Sequence, residues 1–165
     1  MNFNDYLQII EKRLEKSFDI YKDYSINNYV FDLFAKHNAR TERYILTKKT
    51  VLDAMENNEY CLINFLDKLD ENDLKSYIDG LLEIIDVLVK PTKEHMSSII
   101  TGVIVLDNKP SINVIKAIKR FKYNRGFAFG FKGWVDIRLI LVAMKDKHIV
   151  TNKKGREVRR VYNTW

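Results

Sequence analysis

The sequence predicts an α+β fold, a single domain over residues 1–165 with a mixed sheet and helices packed on it. Three observations lead there. Runs with apolar residues three and four apart are interleaved with runs that alternate or are apolar throughout. Two prolines and six glycines in 165 residues leave long elements and short loops. Several strand-like runs are separated only by tight turns, which suits antiparallel neighbours.

In chain order, Leu7, Ile10, Leu14 and Phe18 recur at helical spacing, so 5–18 reads as an amphipathic helix capped near Asn4. Residues 19–27 alternate weakly and read as a short strand, closed by the turn signal Asn27-Asn28. Residues 29–37 are apolar on both faces, which predicts a strand covered on both sides. Residues 43–49 read as another strand, 50–57 as a short helix capped by Thr50, and 59–66 as a strand. Asp70 caps the clearest helix, about 71–89, in which Leu74, Ile78, Leu81, Leu82 and Ile85 recur at three and four. The β-branched run 98–107 predicts a buried strand. Ser111 caps a helix to about Tyr123. Residues 127–131 (FAFGF) read as strand-like, with Phe127, Phe129 and Phe131 on one apolar face. Residues 134–144 form the longest apolar strand, and 145–147 turn it back into HIVTN.

The net charge of +6 conceals a division. Residues 1–89 carry 11 Lys/Arg against 17 Asp/Glu, a net of −6, and residues 90–165 carry 17 against 5, a net of +12. Such an asymmetry concerns partners rather than fold. One cysteine, Cys61, excludes a disulfide scaffold and a multi-cysteine metal site, and reads as a small buried hydrophobe. His37, His95 and His148 lack metal-ligand spacing. No apolar run reaches the roughly 18 residues of a membrane span, and the N-terminus lacks the apolar centre of a signal peptide. The expectation is a cytoplasmic protein with no membrane partner, no resident cofactor and no metal.

The order helix, three strands, helix, strand over residues 5–66 resembles the core of the restriction-endonuclease-like, or PD-(D/E)xK, nucleases. FDLFA (Phe31–Ala35) followed by RYILTKK (Arg43–Lys49) resembles their two-strand signature, with Asp32 at its first position and Lys49 at its lysine. Thr47 stands where the second acid belongs. Glu11 or Glu15 from the first helix would complete such a site. The resemblance implies a Mg²⁺-dependent nuclease ancestry, because paired carboxylates suit a hard cation and the lysine offsets phosphate charge. The missing acid implies a degenerate member that binds without cutting. The whole chain is also similar to an uncharacterised bacterial protein family, in stretches such as ITGVIVLD, FGFKGWVDIR and TNKKG, which implies no activity.

RGFAFGF (Arg125–Phe131) resembles the RNP1 strand of the RNA-recognition motif in its first five positions. Gly130 and Lys132 depart from that pattern, and the motif follows a helix without the strand that should intervene. Gly126, Gly130 and Gly133 do not fit a phosphate loop, because they do not lead from a strand into a helix. Asp136 and Arg138 share a strand face and read as structural ion pairs, with each other or with a neighbour, that Asp107 could join. Clustered cations are the broadest signal: Lys116, Lys119, Arg120, Lys122 and Arg125, then Lys153, Lys154, Arg156, Arg159 and Arg160. They suit phosphate without reading sequence. The expected function is non-catalytic association with DNA or RNA. The alternatives are a self-associating adaptor whose acidic and basic halves pair, as in a homo-oligomer, and an active Mg²⁺-dependent nuclease.

Overall fold

Helix α1 (Phe3–Leu14) begins two residues before the expected cap, at Asn2. The Asn2 side chain accepts from Asp5 N at 2.9 Å, and Asp5 accepts from Asn2 N at 3.2 Å. This reciprocal pair satisfies donors that the first helical turn leaves open. The helix buries Tyr6, Ile10 and Leu14. These positions belong to a computed structural model that describes residues 1–44 and 51–165.

Strands β1 (Asp19–Ile26), β2 (Tyr29–Tyr44) and β3 (Val51–Phe65) form an antiparallel meander. Helix α2 (Glu71–Leu88) starts at the expected cap, with Asp70 accepting from Asp73 N at 2.8 Å. It carries the chain back so that β4 (His95–Leu106) lies parallel to β3. Helix α3 (Ile112–Arg120) crosses again, and β6 (Trp134–Ala143) lies parallel to β4. Two short antiparallel strands share the far edge of β6. β5 (Asn124–Gly126) pairs with Trp134–Asp136, and β7 (His148–Thr151) pairs with Ile140–Ala143. The sheet order is β1-β2-β3-β4-β6-β5, with β7 on β6. A 3₁₀ turn (Lys154–Val158) and α4 (Arg159–Tyr162) end the chain.

The α+β prediction holds, with the sheet covered on both faces. α2 and α3 bury Leu74, Leu81, Ile84, Val114 and Ile118 against Leu62, Ile100, Ile104 and Leu139. α1 and α4 bury Tyr6, Ile10 and Tyr162 against Leu33, Cys61, Val103 and Ile140 on the other face. From Ile99 to Leu106 β4 is therefore apolar but for Thr101, as a central parallel strand with two covered faces requires. The change from acidic to basic sequence is not a structural boundary. β3 and β4 belong to different halves and pair along most of their length.

Three local readings are corrected. Residues 43–44 do not open a new strand but end β2, and 51–57 are not helical but belong to β3. Ladder pairing from Leu33↔Ile63 out to Tyr44↔Val51 takes the backbone groups that a short helix there would need. The Thr50 cap falls outside the described residues. α3 ends at Arg120, and the three residues of β5 follow. The FAFGF segment is not a strand. Its backbone turns left-handed at Ala128 (φ 47°) and Phe129 (φ 56°), so the two-residue period fails. Phe127 packs inward, while Phe129 and Phe131 stand in solvent.

Candidate functional site

β5 and β7 cover the two ends of β6 and leave Ile137–Leu139 between them without a strand partner on that edge. Asn152, buried in the loop after β7, takes that place. Its side-chain amide donates to Ile137 O at 3.0 Å, and its side-chain oxygen accepts from Leu139 N at 3.1 Å and Gly155 N at 2.8 Å. Its own N–H donates to Leu139 O at 3.0 Å. A hollow of about 350 Å³ opens at this break. Phe121, Lys122 and Tyr123 line it from the exit of α3, and Lys153, Lys154 and Glu157 line it from the turn after β7.

The two basic clusters therefore meet in space although about thirty residues separate them in sequence. A second meeting lies on β7. Burial pushes His148 below the ordinary histidine range, and the charges of Lys109, Lys119 and Arg159 push it further, against a smaller opposing effect of Asp146. Those cations come from the loop before α3, from α3 and from α4, so three segments present like charge to one strand. Two of the predicted cations are paired: Arg125 with Asp86 at 2.7 Å, and Lys154 with Glu157 at 2.9 Å. The others, Lys116, Lys119, Arg120, Lys122, Lys153, Arg156, Arg159 and Arg160, are exposed and make no ion pair among the described residues.

Asp136 and Arg138 do not pair with each other. Asp136 accepts from Asn124 at 2.8 Å and lies 4.0 Å from Lys154. Arg138 is buried and bonds Glu59 and Glu157, each at 2.9 Å. Asp107 is elsewhere, against Lys145 at 2.7 Å. Hydrogen bonds from Lys154 and Arg138 hold the Glu157 carboxyl below its usual range, despite some opposing desolvation. Behind Arg138, Cys61 lies 3.1 Å from the Tyr162 hydroxyl. Burial pushes its thiol up to about 12, which suits the predicted small hydrophobe and not a nucleophile.

The nuclease-like positions separate. Asp32 and Glu11 line one hollow of about 310 Å³ between α1 and β2. Glu15 lies at the end of α1 and lines a different hollow with Lys36 and His37. Thr47 and Lys49 lie outside the described residues. Glu11 is held by Lys22 at 2.7 Å, and Asp32 accepts from Phe65 N at 2.7 Å, closing the β2–β3 ladder where Leu33↔Ile63 ends it. Among the described residues no group of three Asp, Glu, His or Cys side chains is placed to hold a metal ion. With Glu11 neutralised by an ammonium, Asp32 spent on a backbone N–H, and the third carboxylate of the hollow, Asp23, not grouped with them as a ligand set, the hollow fits Mg²⁺ poorly, since that ion needs oxygen ligands in near-octahedral array.

Sequence reasoning missed Asn152 and His148. Asn152 sits in a polar stretch where an asparagine signals a turn, and only the sheet edge gives it three partners. His148 was visible as a lone histidine, and its cationic setting is entirely tertiary. Among the described residues, no helix is long and apolar enough to cross a membrane. Residues 2–164 match the sequence model of a family described as a domain of unknown function, DUF8052. No curated protein and no solved structure matches the chain.

Proposed function

We propose that this chain, which belongs to the DUF8052 family, is a nucleic-acid-associated protein that holds a phosphate backbone beside the β6 edge that β5, Asn152 and β7 flank, and does not cut it. One observation carries this reading. Lys122 and Lys153 line one hollow beside β6 from the α3 exit and the turn after β7, Lys119 and Arg159 bring positive charge to His148 on the adjoining β7, and all four are exposed and without acidic partners among the described residues. Cations that only solubilise a surface need not converge, and cations meant for the acidic half would be paired with it. Arg125 with Asp86 and Arg138 with Glu59 are such pairs.

The restriction-endonuclease-like resemblance enters only here. The order α1, β1-β2-β3, α2, β4 and the shared hollow of Asp32 and Glu11 support it. The engagement of both carboxylates supports a relic that binds without cutting.

Binding of a short duplex should weaken steeply with salt, log K falling by about 0.9 per phosphate neutralised for each tenfold rise in salt. Replacing Lys119, Lys122 or Lys153 by alanine should lower that slope by about 1 each, and uniformly across sequences. Fluorescence anisotropy at several salt concentrations measures both. Retention that ignores salt, or no binding at about 50 mM salt, refutes the proposal. Degradation of the duplex in Mg²⁺ that disappears in Asp32→Ala would establish the nuclease reading in its place.

A further inference from the structure

The segment between β5 and β6 is the most unusual surface of the molecule. Phe129 is 103% exposed, as open as a side chain of an extended chain, and Phe131 is 87% exposed. They are not on a loose loop. Phe127 N donates to Gly133 O at 2.9 Å, Lys132 N to Phe127 O at 3.1 Å, and Phe131 N to Ala128 O at 3.0 Å. The buried His95 donates from Nδ1 to Lys132 O at 2.6 Å, since a carbonyl can only accept, and its Nε2 meets Ser98 Oγ at 2.9 Å. Ala128 and Phe129 are left-handed, a conformation that L side chains rarely adopt, and Gly130 and Gly133 follow at φ 89° and 76°. Strain and hydrogen bonds are thus used to hold two phenyl rings in water. Such strain persists where function needs a fixed geometry.

The surroundings favour an anionic partner. Lys132 and Lys93 are exposed beside the rings and make no ion pair among the described residues. Glu94, the acid lining the hollow next to Phe131, is engaged by Arg40 at 3.2 Å. In sequence, β5 leads from Lys122 and the α3 exit directly into this loop. Exposed cations beside two bare aromatic faces match single-stranded nucleic acid, whose phosphates need cations and whose unpaired bases need rings to stack on. In a duplex the base faces are already covered by their neighbours.

We infer that Phe129 and Phe131 stack on unpaired bases, so that the protein prefers single-stranded DNA or RNA over duplex. This rests on the phosphate-binding reading of the β6 edge and adds the identity of the strand. The platform is a strained turn and not a sheet face.

The test is anisotropy with a labelled oligo-dT 20-mer and a 20-base-pair duplex. It compares the intact protein with Phe129→Ala/Phe131→Ala and with Lys122→Glu/Lys153→Glu. Both rings are outside the core, so the alanine variant should keep the melting temperature of the parent. The intact protein should bind the single strand more tightly. The phenylalanine variant should lose at least about tenfold on the single strand and little on the duplex, and the lysine variant should lose on both. If the lysine variant behaves so while the phenylalanine variant keeps its single-strand affinity, the stacking inference fails and the phosphate reading stands. If the intact protein binds neither, both fall. If sedimentation shows that the alanine changes dissociate a dimer and single-strand binding is unmoved, the rings contact a second copy and the inference is overturned.

Discussion

Asn152 substitutes for a strand along the part of β6 that neither β5 nor β7 reaches, and three backbone groups depend on its side chain. Leaving a buried backbone group unpaired costs about 1–3 kcal/mol. Asn152→Ala should therefore destabilise the protein by about 3–5 kcal/mol, less if water enters the hollow beside it and meets some of those groups. Asn152→Asp keeps an acceptor for Leu139 N and Gly155 N but loses the donor to Ile137 O, so it should fall between alanine and the parent. Urea unfolding of the three proteins checks the order, and an alanine variant as stable as the parent would show that the edge closes without this residue. A scan of the sequence offers no hint of such a role. Asn152 follows a strand and precedes two lysines, where an asparagine ordinarily signals only a turn. Asp136 and Arg138 make the same point. Their shared strand face was legible from spacing, but their partners come from β5, β3 and the 3₁₀ turn after β7.

At the scale of elements, the legible parts are those whose signal is local. The caps at Asp70 and Ser111 and the long apolar runs of β4 and β6 fall where periodicity puts them. The β2–β3 hairpin was misread because past Lys36 and before Glu56 its two strands pair only with each other, beyond the reach of β1 and β4. The loop between β5 and β6 was misread for a different reason, since alternating Phe, Ala and Gly imitates a strand that its left-handed backbone cannot form. Gly133 is the hinge of that loop. At φ 76° it adopts a conformation that favours glycine, and a Cβ there would lie 2.3 Å from Met96 O and 2.7 Å from His95 O, both backbone atoms. Gly133→Ala should cost more than the roughly 1 kcal/mol of a left-handed alanine alone, because β4 must also give way. The damage should stay local, with faster amide exchange at Phe127 and Lys132 than at core positions of β4. Uniform acceleration across the sheet would show that the loop is integral to global stability.

Across the whole molecule, cations of α3, α4 and the loop before α3 meet on β7, and His148 reports their joint field. Burial and the charges of Lys109, Lys119 and Arg159 lower its pKa from 6.5, against the smaller effect of Asp146. A depressed histidine is neutral in the folded state at a pH where the unfolded chain is already protonated. Stability is therefore lost as pH falls below about 6.5, until the folded value is passed. A bound phosphate backbone would oppose the cationic field and let the ring protonate. Binding then takes up a proton in the window between the free and bound values, so affinity should rise as pH falls through that window at fixed salt. Phosphodiesters do not titrate in that range, which leaves the protein as the source. His148→Ala should retain binding above that window and lose the increase through it. Calorimetry in two buffers of different ionisation enthalpy would show the proton uptake in the parent and its absence in the variant. An equal pH dependence in both proteins would place the bound phosphates away from β7, and would move the interface toward the α3 exit and the hollow beside Asn152.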